Sequence, residues 1–219
     1  MHHEAARLTG QATIQVDSLL DAASAEMEDL DVEAALRDAE AARATAMANR
    51  NPLQEARAEW LLRTLAYRED RTTEIDEELL SLMPKIGAPD LEALVSFTEA
   101  AVAFRLGRVQ RSLELAMHAH ERWRELGRVT PAAISLSLAA ACGAEVAAAV
   151  VEELIEEARA AADPVVGIQV LALLVRGLPA LRPRLRALAT RLAQSIAPRY
   201  LLARSDVLSP QEAIEMIFG

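Results

Sequence analysis

Apolar and polar positions recur with a helical period along most of the chain, and the pattern is clearest between Leu91 and Gly127. Residues 91–106 are apolar almost all round. Their polar exceptions include Glu92, Ser96 and Glu99, which fall on one line of a helix. A helix apolar on every side is covered by neighbours on several sides. After a break at Gly107, the stripe Val109, Leu113, Ala116, His120, Trp123 and Gly127 recurs at spacings of four and three. Gln110, Glu114, His118, Glu121 and Glu125 line the opposite side. A buried helix joined by a tight turn to a half-buried one is a helical hairpin. Alone it cannot cover its inner helix, so it needs copies of itself on either side.

The rest of the chain reads in the same units. A first helix is expected over about 4–28, with Ile14, Val16, Leu19, Leu20 and Ala23 inward. Asp31 caps a second that runs to about residue 49. Residues 52–67 follow Asn51-Pro52 and turn Trp60, Leu61 and Leu65 inward. Residues 71–86 make the next helix, ended by Gly87. Beyond the central hairpin come 132–142, a break at Gly143, then an amphipathic 145–162 and an apolar 165–178 opened by Asp163-Pro164. Pro179 and Pro183 delay a helix over about 184–197, and Pro198 starts a short segment. Ser209-Pro210 opens a last helix carrying Ile214, Ile217 and Phe218. No run of alternating β-branched residues predicts a sheet. The expected total is about ten helices in antiparallel pairs.

The hairpins repeat. Residues 31–42 superpose on 108–119, at an offset of 77: Val32 on Val109, Ala35 on Ser112, Leu36 on Leu113, Ala39 on Ala116, Ala42 on Ala119. Two repeats of about 38 residues fill that offset. Pro52, Pro89, Pro131, Pro164 and Pro198 keep a similar beat, each where one helix should end and the next begin.

In these features the chain resembles the tetratricopeptide-repeat (TPR) family. The resemblance is carried by small residues where the two helices of a repeat cross, Ala100, Gly107, Ser112 and Ala119 in the clearest copy and Ala35 and Ala42 in the first. It is best over about 31–130, and most of the family's aromatic positions hold Ala, Leu or Val here. It implies an all-α, right-handed α-solenoid, one TPR-like domain over 1–219 of about five helix pairs, with 198–219 as cap or tail. HEAT-like repeats share the two-helix unit and are the structural alternative. The type found beside catalytic or DNA-binding domains of bacterial signalling proteins is the nearest in character. That implies a protein-binding scaffold in a regulatory assembly.

Composition narrows the picture. The core draws on Ala, Leu and Val, with two Trp, two Tyr and three Phe in all. Ala favours helix and lets helices approach closely. A net charge of −10 argues against a nucleic-acid partner, which needs clustered basic residues. The short cluster Arg182, Arg184, Arg186 reads as a solvated helix start. Cys142 is the sole cysteine and sits in an apolar stretch, as a buried inert thiol would. No apolar signal core or membrane-length apolar run is present, so a cytoplasmic protein is expected.

Candidate chemistry is sparse. Glu114, His118 and Glu121 share a helix side, but a solvated face accounts for them better than a metal. His120 reads as a hydrogen-bonded packing histidine. No phosphate loop or nucleophile elbow is found, so no catalytic residue, cofactor or metal ligand is expected. The polar lines on the first-type helices carry the functional expectation. In TPR-like stacks these helices line the concave face, so Glu59, Arg63, Glu92, Ser96 and Glu99 would form a solvent-facing groove for a protein or peptide. Three carboxylates against one guanidinium favour a basic partner. The alternatives are a ligand-sensing array serving a separate effector domain, and, behind it, a helical-bundle enzyme. Glu152, Glu153, Glu156 and Glu157 form an acidic ridge, and the tail at Ile214, Ile217 and Phe218 offers a route to a homo-oligomer.

Overall fold

The computed structural model describes residues 2–29, 31–196 and 210–218. Among them no strand occurs, and eleven α-helices follow one another: α1 (His2–Glu28), α2 (Val32–Ala48), α3 (Pro52–Arg68), α4 (Glu77–Ile86), α5 (Pro89–Arg105), α6 (Val109–Glu125), α7 (Val129–Ala141), α8 (Ala148–Ala160), α9 (Pro164–Gly177), α10 (Arg182–Ser195) and α11 (Pro210–Phe218). A 3-10 turn at Pro179–Leu181 leads into α10. Helices adjacent in sequence mostly pack on one another.

The starts and stops have local causes. Asp31, Asn51 and Asp76 accept a backbone N–H three residues on, and Asp163 accepts that of Val165, so each satisfies a donor the helix start would orphan. Pro52 and Pro164 occupy the first turn, where no N–H is needed. Gly87, Gly107, Gly127 and Gly143 follow helix ends with φ of 68°, 71°, 68° and 99°. An added Cβ on Gly107 would meet open space. Gly107 therefore serves the turn, not the helix crossing to which the repeat alignment assigned it.

Several boundaries differ from expectation. The helix expected over 71–86 starts only at Glu77: Asp70 takes φ 56°, residues 71–76 are irregular, and the Asp76 cap supplies a better start. α8 starts at Ala148 rather than near 145. Pro183 lies in the first turn of α10 instead of delaying it. The segment expected after Pro198 and the Ser209 cap lie outside the described residues.

The described chain divides into two compact units. The first takes the residues up to Thr72 together with Asp76–Leu91. The second takes Thr73–Ile75 and the residues from Glu92 onward, so the boundary falls within the first turn of α5.

In the first unit the buried residues of α2 are all alanines, Ala34, Ala35, Ala39, Ala42 and Ala46, with Val32 and Leu36 half-buried beside them. Ala35, Ala39, Ala42 and Ala46 cluster with Val16, Leu20 and Ala23 of α1 and Leu61 and Leu65 of α3, with Trp60 and Leu19 packed half-buried against them. Such small side chains bring α2 close to both neighbours. Ile14, expected inward, is 67% exposed. Asp17 accepts from Gln54 at 2.8 Å and Arg57 at 2.7 Å, tying α1 to α3, and Arg43 reaches Glu59 at 3.1 Å, tying α2 to α3.

In the second unit α9 is the hub. It packs on α7, α8, α10 and α11 and buries nine consecutive residues from Gly167 to Val175. A Cβ on Gly167 would lie 2.4 Å from the Ala158 carbonyl oxygen, and one on Gly177 2.3 Å from that of Ala140. Backbone meets backbone at both places, and only glycine fits. α6 buries Ser112, Leu115, Ala116, Ala119 and Trp123. The stripe is thus rotated from the one expected: Val109 is exposed, and Leu113 and His120 are half-buried. The repeat alignment located the face better than periodicity did, since Ala35, Ala39 and Ala42 are buried at the same steps as Ser112, Ala116 and Ala119. α11 buries Ala213 and Ile217, and Arg186 of α10 donates to the Phe218 carbonyl at 2.7 Å. No described helix is long and apolar enough to cross a membrane.

Candidate functional site

The residues expected to line a groove are distributed otherwise than the pattern implied. Glu59 and Arg63 stand on α3 in the first unit, both partly exposed, with Glu59 paired to Arg43. Glu92, Ser96 and Glu99 stand on α5 and are 8%, 2% and 0% exposed. They were expected to face solvent, and they are core instead. The cause is the crowding that an all-round apolar helix already signals: α5 has no free side on which to keep a polar line.

Within the second unit several polar groups of α5 and α6 bond to one another. The His118 Nε2–H and the Arg122 guanidinium both donate to Glu92 Oε1, at 3.0 and 3.3 Å. His118 is thereby turned toward α5 rather than toward Glu114, which accepts from Gln110 and Arg111. Ser112 donates to the Ala100 carbonyl at 2.9 Å, which marks the point where α5 and α6 cross. Cys142 donates to Ser112 Oγ at 3.3 Å, and burial pushes its thiol pKa up, as expected of an inert thiol. Ser135 and Ser137 bond back to carbonyls four residues earlier, so they are buried without needing solvent.

A concave feature of the second unit lies elsewhere, where the end of α6, the start of α7 and the face of α8 meet. It is a cleft of about 680 Å³. Ala132, Ala133, Leu136, Val150 and Leu154 give it an apolar floor. Arg124 and Arg128 stand on one wall and Glu153 and Glu157 on the other. Arg124 lies in the last turn of α6, where a cation complements the helix dipole. Arg128 follows the left-handed Gly127 and occupies the N-cap position of α7 without a side-chain capping bond. Glu153 and Glu157 are one turn apart on α8 and repel one another mildly. No ion pair or side-chain hydrogen bond among the described residues engages any of these four groups. His120, also on the cleft, donates its Nδ1–H to the Ala132 carbonyl at 2.9 Å, the packing role expected of it.

Other charges near by are already used. Glu152 of the acidic ridge is paired with Arg184 of the basic cluster, which holds the Glu152 carboxyl below its usual pKa and raises that of Arg184. Glu156 pairs with Arg159 at 3.1 Å. One glutamate of the ridge is thus matched by one arginine of the cluster and a second by Arg159, leaving Glu153 and Glu157 on the cleft side. The sequence reading named both glutamates but missed Arg124 and Arg128. The available signal was the run Arg124-Glu125-Leu126-Gly127-Arg128, which sets a guanidinium on either side of a left-handed turn.

Comparisons with protein-family models, with curated proteins and with solved structures found no match to this chain. Its functional reading rests on its own residues.

Proposed function

We propose that the chain is a non-enzymatic, TPR-like scaffold that binds a protein partner by a peptide segment, in a regulatory assembly. The single observation that carries this reading is the cleft at α6–α8: open, apolar at its floor, and walled by four charged groups with no partner among the described residues. A concave apolar surface with a few convergent polar groups is the usual form of a binding site. The solenoid construction is supported by three contacts between an odd-numbered helix and the odd-numbered helix two along: α1 with α3, α7 with α9 and α9 with α11. In a stack of helix pairs the first helix of each pair makes that contact, and the second helices do not. The matched burial of the two aligned helices supports it too.

The buried line Glu92, Ser96, Glu99 offers a partner little, so the binding surface is assigned to the cleft. The experiment is selection of a displayed peptide library on the full chain, repeated on the variant Arg124→Glu/Glu153→Arg. Peptides enriched on the wild type should bind the variant weakly. Equal binding to both would move the interface away from the cleft. A second reading, a small ligand sensed on behalf of an effector domain, draws on the cleft volume, which lies in the roughly 300–1,000 Å³ range of small-molecule sites. A mass spectrum of the native protein showing a retained small molecule would favour it.

A further inference from the structure

We infer that the cleft selects an amphoteric peptide segment, one that carries an acidic and a basic side chain on either side of an apolar stretch. The inference rests on the peptide-binding reading above and adds the chemistry of the occupant.

The argument is one of charge complementarity across a gap. Arg124 and Arg128, from the end of α6 and the turn into α7, and Glu153 and Glu157, from α8, line the same cleft, and among the described residues no ion pair joins them. Each wall carries two like charges whose repulsion no partner among the described residues relieves. A bound group of one sign would neutralise one wall and leave the other unmatched. A segment carrying both signs neutralises both at once. Its apolar middle covers Ala132, Leu136 and Leu154, excluding water from the floor and strengthening both charge contacts. Arg124, Arg128 and Glu153 are exposed and Glu157 half-buried, so their contribution to discrimination falls with salt.

The same four residues argue against a purely basic partner, which the buried groove line had suggested. A basic segment would gain Glu153 and Glu157 but bring like charge to Arg124 and Arg128. Opposed walls of this kind act by rejecting wrong partners as much as by holding the right one.

The probes are fluorescently labelled synthetic peptides with blocked ends: Asp-Ala-Leu-Ala-Lys, its reverse-order counterpart Lys-Ala-Leu-Ala-Asp, and forms in which Asn replaces Asp or Gln replaces Lys. Binding to the full chain is read by polarisation, beside the library peptides. One of the two amphoteric peptides should bind at least about tenfold more tightly than either of its single-charge forms. The advantage should shrink as salt is raised. The neutralised chain Arg124→Gln/Arg128→Gln should lose the preference for Asp over Asn and keep that for Lys over Gln. Glu153→Gln/Glu157→Gln should do the reverse. Retained helicity and melting temperature identify variants fit for comparison, and the peptide substitutions test the inference on the wild type alone. Single-charge peptides binding as tightly as the amphoteric ones would overturn the inference and leave peptide binding intact. Failure of every synthetic and library peptide to bind would overturn the peptide-binding reading itself.

Discussion

Gly177 ends α9 with its α-carbon pressed on the Ala140 carbonyl of α7, where a Cβ would stand 2.3 Å from that oxygen. The obstacle is backbone, which cannot swing aside as a side chain can. Gly177→Ala should therefore destabilise by roughly 1–3 kcal/mol through overpacking, despite the higher helix propensity of alanine. A denaturant titration with unchanged slope and a lower midpoint is the expected result. A more stable variant would mean that the two helices are free to part. Glycines inside an apolar helical run are a visible sequence signal of close approach. What the run does not show is which neighbour comes close, because that depends on the crossing of α9 with helices remote in the chain. Polar residues were legible to the same partial degree. His120 and Cys142 have the roles their surroundings implied, whereas Glu92, Ser96 and Glu99 were read as a solvent edge and are core. Periodicity says that they share a line. Whether that line meets water depends on neighbours the pattern does not show.

At the scale of the element, α5 is covered on nearly every side and α6 only on one. Phe97, Ala101 and Phe104 are buried while Glu114, Glu121 and Glu125 are exposed. Phe104 also lies beneath the Arg176 guanidinium, 4.3 Å from its ring centre. Phe104→Ala should cost on the order of 3–5 kcal/mol, since both the buried ring and its contacts are lost. A loss under about 1 kcal/mol would place the ring at a surface. Ala100 and Ala119 are fully buried. A larger side chain at either fully buried position overpacks the core, so Ala100→Leu and Ala119→Leu should each destabilise by roughly 1–3 kcal/mol. Wild-type melting of both would contradict the small-residue crossing. Element types were legible because apolar spacing, Asp and Asn caps and glycine stops agree with one another along the chain. The face of α6 was misread by about one position because apolar side chains at its ends, Val109 foremost, remain in solvent. The start of α4 was misread because the residues before it carry helical polarity without a cap until Asp76.

At the scale of the whole molecule, an all-helical chain of sequentially packed helices was foreseeable from hydrophobic pattern alone, and the cleft was not. Its walls come from three helices and the turn between two of them. Arg124 and Arg128 come to line one cleft with Glu153 and Glu157 only once α7 has folded back and α8 has returned across it. The central claim is that binding occurs there, and not along the polar residues of α3 and α5. Hydrogen–deuterium exchange of the full chain, with and without the tightest peptide, tests it most directly. The account predicts slowed exchange over the end of α6, the start of α7 and the face of α8 near Glu153 and Glu157, with the amides around Glu59, Arg63 and Glu92–Glu99 unchanged. Protection confined to α3 and α5, with α6–α8 unaffected, would contradict it.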